Sequence, residues 1–423
     1  MFFDEFFNEL QRVTTELKAR GTEEKKVPLL RDEVRGRWIT YPDEAGERRE
    51  VLVSVDGGVQ VSKFAYGDFV AVGRACALIN STDRTLEKKV KMYVGQVYDD
   101  RDKNLITSYV RTICEYEAAY GAAVRVLKNG GQPIVLMDGS LYFSRLPYSP
   151  SEYGHHSSLI SELLDSITKL RNLAKEEKFI LASVAKDSSV FYLYMELLKS
   201  ALKKAGLGRL LEGLERSSSP FDFMIRSKIL EESDRLALKP FIEDHPMCDP
   251  VLVQYSTDIE GYTVPLYLAS TIFNSSNNRI VSLMRNLENQ IGSEESSKIR
   301  ASIQAFFKSP GVASLYWKPT PKGRPFRVDV LASCIGRDEA WETHTRNLFI
   351  EGYDRENVQK VLNHLSYWFC NEVEYNVPLK QADTLARFDR NLYKRKYEPF
   401  IVRELEEAGL DVTGTRRELR EIS

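Results

Sequence analysis

Cysteine is scarce in this chain of 423 residues: Cys76, Cys114, Cys248, Cys334 and Cys370 are scattered, with no C-x-x-C pair. That spacing builds neither a zinc site nor a disulfide framework, and it fits a reducing, cytoplasmic compartment. Histidine is equally thin. His155, His156, His245, His344 and His364 show no metal-ligand spacing and read as surface or core residues, with His155-His156 the best placed for function. Neither sign of charge dominates: 59 Lys and Arg against 61 Asp and Glu leave a formal net charge of -2, so any nucleic-acid surface must be a local patch. No apolar run approaches the roughly 20 residues of a membrane span. The opening Met1-Phe2-Phe3-Asp4-Glu5-Phe6-Phe7 is acidic, so neither a signal peptide nor a membrane partner is expected. No internal repeat or low-complexity tract is visible.

At 43% hydrophobic and 28% charged, the composition is that of an ordinary globular protein. Two acidic-glycine segments stand out, Val55-Asp56-Gly57-Gly58 and Met137-Asp138-Gly139-Ser140. Each follows an apolar run that reads as a buried strand, Val51–Val55 and Ile134–Met137. A strand that ends in Asp-Gly exposes a carboxylate at its carboxyl end, where ligands of open α/β sheets gather, and glycine lets the chain turn away. Asp56 and Asp138 are therefore expected to converge on one hard cation, magnesium or manganese.

Between them, a helix from about Asn104 to Lys128 carries Glu115 and Glu117. Two residues apart on a helix, they face different ways, so only one is expected at the sheet edge. Glu115 is favoured, because Arg111 one turn earlier can approach a phosphate. Lys186 lies where the strand Phe179–Val184 gives way to a helix, a place to neutralise a phosphate beside helix-terminal amides. Further strands at Phe69–Ile79 and Val90–Tyr98, and a helix marked by Leu159 to Leu173, give the order three strands, helix, strand, helix, strand, helix. This is the ribonuclease-H-like order: α/β, a mixed five-stranded sheet with flanking helices.

Residues 1–46 read as an amphipathic helix, with Phe3, Phe6, Phe7, Leu10, Val13 and Leu17 at helical spacing, and a lead-in; 47–200 are the first part of the core. From 201 to 310 the pattern is a largely helical middle insertion broken by polar loops. Residues 311–398 return to the core with a hairpin, Ala313–Trp317 and Phe326–Leu331, and a final helix from Pro378 through Asp383 to about Lys394; 399–423 form a charged tail.

Taken together, the chain resembles the NurA family of DNA-end-processing nucleases. The resemblance is carried by the strand-VDGG segment, the Glu helix, MDGSL, the VAKDSS segment with Lys186, a YWKP…RVDV hairpin and a late YNVPLKQAD helix. It implies that Asp56, Glu115 (or Glu117), Asp138 and the residue at 383 bind a divalent metal, preferably manganese, and that Tyr375 lies near the site. The family usually has histidine where this chain has Asp383, and an all-carboxylate set tilts preference towards magnesium.

The resemblance also implies single-strand endonuclease and 5′-to-3′ exonuclease action on DNA. It implies a homodimer and work with a hexameric HerA-type translocase in end resection. A ribonuclease-H-like enzyme acting on RNA or hybrids, and a non-catalytic DNA-end or translocase adaptor, are the alternatives. For DNA contact, the local patch is Arg387, Arg390, Lys394, Arg395 and Lys396, interleaved with Phe388, Tyr393 and Tyr397; Arg324 and Arg327 on the hairpin are a second candidate.

Overall fold

The strands lie where β-branched and small apolar residues are densest. They are β1 (Trp38–Thr40), β2 (Val51–Lys63), β3 (Asp68–Asn80), β4 (Thr85–Gln96), β5 (Pro133–Asp138), β6 (Ile180–Ala185), β7 (Gly261–Thr263), β8 (Leu266–Leu268), β9 (Val312–Lys318), β10 (Phe326–Leu331) and β11 (Leu348–Phe349). The computed structural model describes residues 3–19, 29–40, 48–64, 67–81, 84–96, 100–143, 150–215, 223, 230–242, 248–270 and 292–412. The loops at 217–220, 244–246 and 274–278, the side chain of His155, His245 and residues 413–423 of the tail lie outside the described residues.

Among the described residues the strands form one mixed sheet in the order β1-β7-β9-β10-β6-β5-β2-β3-β4, with β8 joined to β9 and β11. At its heart, β2, β3 and β4 form an antiparallel meander, and β5 and β6 run parallel to β2 on its other side. This is the expected five-stranded core. Past β6 the sheet continues antiparallel through β10, β9, β7 and β1. Strands β5 and β6 are buried along nearly their whole length, as parallel strands covered on both faces must be.

One face is covered by α3 (Asp100–Lys128), which lays Ile106, Tyr109, Val110 and Ile113 into the core; α4 (Pro150–Glu176) and then α9 (Ser293–Lys308) pack outside it. The middle segment gathers α5 (Tyr192–Lys204), α6 (Leu211–Glu215), α7 (Glu232–Ile242) and α8 (Asp249–Ser256), with the short α2 (Arg31–Arg35) against α5 and α8. They share a core of Leu193, Leu197, Leu214, Leu238 and Leu252. The described residues of this stretch are mainly helical, with the short β7 and β8 among them. Next come α10 (Arg355–Tyr367) and α11 (Val377–Ala386), the latter against β2 and β3. A last helix, α12 (Glu398–Glu407), buries Ile401 with Phe64, Val70, Val72 and Tyr393. By contrast α1 (Phe3–Ala19) exposes its Phe3, Phe6, Phe7 and Leu10. Among the described residues no helix is long and apolar enough to cross a membrane.

Two local expectations are corrected. The first Asp-Gly segment is no elbow: β2 runs straight through it, pairing Asp56 with Cys76, Gly57 with Ala75 and Gly58 with Arg74. Pairing with β5 ends at Val55, so Asp56 still emerges where its parallel neighbour stops. The late helix does not run to Lys394 but ends at Ala386, with Arg387 extended. Arg74 reaches across from β3 and donates to the carbonyls of Ala386 (2.7 Å) and Arg387, satisfying groups that a continuing helix would have used. Asp389 then caps a new turn through Asn391 N and Leu392 N.

Candidate active site

The carboxyl end of β5 is the focus. Asp138 is its last residue, and Gly139, at φ 107, takes the chain out of the strand as expected of the second elbow. Asp56 lies alongside on β2. Its Oδ1 accepts from Gly57 N at 2.7 Å, and among the described residues it makes no ion pair. Glu115 descends from α3 onto Gly57 so closely that a Cβ there would sit 2.6 Å from its Cγ. A Cβ on Gly58 would meet the Ala386 carbonyl oxygen at 2.8 Å, which brings α11 and Asp383 in from the other side. The two glycines are thus spaces for neighbours, not hinges.

These acids feel one another. Burial pushes Asp56 up to about 6, Asp138 adds to the rise, the Gly57 amide opposes it, and Asp383 raises it further. Burial pushes Glu115 up to about 7; Arg111, 3.3 Å away, opposes this, while Asp56 and Asp138 add to it. Asp138 accepts from Lys186 Nζ at 2.8 Å on one oxygen and from the Tyr375 hydroxyl at 3.1 Å on the other. The Tyr375 phenol is held well above its ordinary value by burial and then by Asp138. Asp383 accepts from Arg387 at 2.8 Å, with Lys380 at 3.6 Å.

Asp56, Glu115, Asp138, Lys186, Tyr375 and Asp383 are therefore brought together, with Arg111 beside them. Glu117 is not: it lines a groove with Lys89, Tyr120, Glu162 and Lys169, away from this cluster. Lys186 meets Asp138, and the helix start expected next to it comes later, since α5 begins only at Tyr192. Arg387 and Arg390 border a cavity with Gly57–Gln60, Asp383 and Phe388. Lys394, Arg395 and Lys396 are exposed, but Phe388 lies under Arg74 and Tyr393 is buried with its hydroxyl 3.0 Å from Ser62. Of the expected base-stacking aromatics, Tyr397 alone is exposed. Arg324 is exposed. Arg327 is corrected: it is buried in a two-pronged ion pair with Asp329, so it does not meet solvent or DNA. His156 is buried with its Nδ1 2.6 Å from the Tyr93 hydroxyl.

Sequence reasoning missed Ser140, Asp329 and Arg74. For Asp329 a signal existed, because residues two apart on a strand share a face and Arg327-Val328-Asp329 sets opposite charges there.

The donor chemistry fits a hard divalent cation: four acids, no thiol, no imidazole. As they stand, no three His, Cys, Asp or Glu side chains among the described residues form a closed metal-holding set. Asp138, Glu115 and Asp383 each lean on a basic side chain instead. Their mutual repulsion is the mark of fit, since a cation placed among them removes it.

What the sheet and its acids define is a ribonuclease-H-like α/β fold with an acidic site at its parallel strand ends. The NurA domain family matches residues 50–388, and the chain belongs to that family. The NurA nuclease from Sulfolobus solfataricus shares the fold, with a TM-score of 0.51 at 13% identity over 96% of this chain and 98% of that one. A structure of NurA bound to dAMP and manganese aligns with a TM-score of 0.44 at 12% identity, over 95% of this chain and 97% of that one. No curated protein matches the chain.

Proposed function

We propose that this chain is a divalent-metal-dependent deoxyribonuclease. The observation that carries the reading is the meeting of Asp56, Glu115, Asp138 and Asp383, where burial first and then neighbouring carboxylates raise the proton affinity of Asp56 and Glu115. These four would hold manganese or magnesium. When bound, a cation pair supplies an activated water and a charge to stabilise the leaving oxygen.

The other residues serve the acids and the DNA. Tyr375 and Lys186 fix both oxygens of Asp138 and so set its rotamer. Lys186 can exchange its carboxylate for a substrate phosphate, as can Arg111, which is bound to Glu115 from the solvent side. Arg387, Arg390 and Lys394 offer the backbone a basic track leading away from Asp383.

The finer reading follows family resemblance. It comprises single-strand endonuclease and 5′-to-3′ exonuclease action, a homodimer, and end resection with a hexameric HerA-type translocase. The exposed Phe3, Phe6, Phe7 and Leu10 of α1 are the surface we assign to self-association or translocase docking. Removal of residues 1–20 is then expected to weaken one of these, as read by native mass and co-purification.

The deciding experiment is cleavage of labelled single-stranded DNA, duplex DNA and RNA with manganese, magnesium, calcium or chelator. Metal-dependent DNA cutting is expected. Cutting of RNA or hybrids alone would transfer the site to a ribonuclease, and no cutting by folded, metal-loaded protein would leave an adaptor.

A further inference from the structure

We propose that Ser140, Arg327 and Asp329 form a clamp that aims Asp138, so that the buried ion pair of the hairpin is a positioning device for the site. The assignment rests on the nuclease reading for its consequence but on geometry for its existence. Gly139 has left the usual backbone region, and glycine restrains direction least of all residues, so something after it must fix where the turn goes. Ser140 is the point of attachment. Its hydroxyl donates to Asp329 Oδ2 at 2.8 Å and accepts from Arg327 Nη2 and, at 3.0 Å, from Tyr142 N.

Arg327 in turn grips Asp329 with Nε to Oδ1 at 2.8 Å and Nη2 to Oδ2 at 2.7 Å, closing a triangle of side chains. The rest of the turn is held as well. Gly139 N donates to the Val184 carbonyl at 2.9 Å, Leu141 N to Ser183 Oγ at 3.1 Å, and Arg171 Nη2 to the Leu141 carbonyl at 2.9 Å. Asp329 is directly opposite Ser183 in the β10–β6 register, so the clamp and the strand beneath the turn form one block.

Stability alone is a poor reason for such a pair. Both partners are almost fully buried, and a buried ion pair can often be exchanged for apolar residues of similar volume without loss of stability. Orientation is a better reason: fixing Ser140 two residues after Asp138 fixes the peptide that carries the carboxylate towards Tyr375 and Lys186. These three are positioning residues and touch no substrate.

The test uses Ser140→Ala, Ser140→Thr and the apolar pair Arg327→Met with Asp329→Leu in the full chain. Ser140→Ala is expected to lower the melting temperature by only a few degrees. It should reduce kcat about 10–100-fold, as loss of outer-sphere support for a ligand does, with KM for DNA unchanged. Ser140→Thr restores kcat. In a crystal structure of Ser140→Ala, the Asp138 carboxylate is expected to have moved away from the Tyr375 hydroxyl. If Ser140→Ala and the apolar pair both keep wild-type kcat and both Asp138 contacts, the clamp is refuted and the pair merely braces the sheet. Should the apolar pair fail to fold, Ser140→Ala decides alone. A wild type that cuts no DNA with either metal sinks the nuclease reading instead, and the position of Asp138 in the variants still decides the clamp.

Discussion

In β2 the chain passes Asp56 and keeps going: Gly57 and Gly58 stay extended, pair with β3, and leave room for Glu115 and the Ala386 carbonyl. In β5 the chain stops at Asp138, and Gly139 adopts φ 107 with open space where a side chain would be. The two segments share the dipeptide Asp-Gly, but glycine is needed at one for the volume it lacks and at the other for the backbone it permits. The difference separates two ways a short motif can serve a site. One admits a partner from elsewhere in the chain, and the other redirects its own.

The largest expected effect treats the two segments alike. Asp56→Asn and Asp138→Asn should each lower cleavage by at least about 100-fold, since loss of a ligand should exceed loss of its support. Asp56→Asn should leave the metal-free fold as stable as wild type or more so, because a repelling charge without an ion-pair partner has gone, whereas Asp138→Asn also gives up its pair with Lys186 and should not share that gain. Near-normal cleavage by either folded variant would remove the proposed site.

The next effect splits them. Gly57→Ala drives a Cβ into Glu115 and should cut activity about 10–100-fold by displacing an acid, while the strand remains compatible with alanine. Gly139→Ala meets no neighbour but forces an unfavourable backbone, and should cost about 1–3 kcal/mol in chemical denaturation. Equal stability losses in the two variants would erase the distinction.

A smaller effect concerns pH. Asp56 at about 6 and Glu115 at about 7 lie above their ordinary values of 3.8 and 4.5. Between those limits the folded chain holds protons that the unfolded chain has released, so stability falls as pH rises. The chelated protein should melt lower at pH 8 than at pH 5. Manganese, binding the native state, should raise melting more at pH 8. A melting temperature indifferent to both pH and metal would contradict the shared acidic site.

The smallest effect is at Asp383, on the helix whose Ala386 carbonyl packs against Gly58. Asp383→His is expected to keep activity and raise the manganese-to-magnesium rate ratio several-fold, because imidazole favours the softer ion. Asp383→Ala should weaken metal binding. Metal titrations that coincide for wild type and both variants would place Asp383 outside the ligand set.

Much of this architecture was legible in the sequence. The apolar runs of β2, β3, β5 and β6, the stripe on α3 and the helix-opening Pro378 gave the core in its correct order. Asp138 was legible from a strand-end pattern, and Asp56 from the same pattern although β2 runs on through it. Glu115 was read from its helix, and Asp383 came only from the family resemblance. What stayed hidden depends on residues distant in the chain. The need for Gly57 lies in Glu115, and the break at Arg387 lies in Arg74, 312 residues before Ala386. Lys186 was expected beside a helix start, but α5 begins only at Tyr192 and its N-cap Phe191 offers no capping side chain to mark it. Arg327 was read as a DNA contact because turn-rich sequence surrounds it, whereas its alternation with Asp329 puts both indoors.

Arg74 also bears on how the site comes into being during synthesis. The β2–β6 core can collapse once β6 has emerged, since its strands and covering helices are by then all present, and domains tend to fold as units in order of appearance. Asp383 arrives much later, on a helix held to β3 by the Arg74 grip on its last carbonyls. A nascent chain would thus carry three acids through a long stretch of synthesis before it receives the fourth.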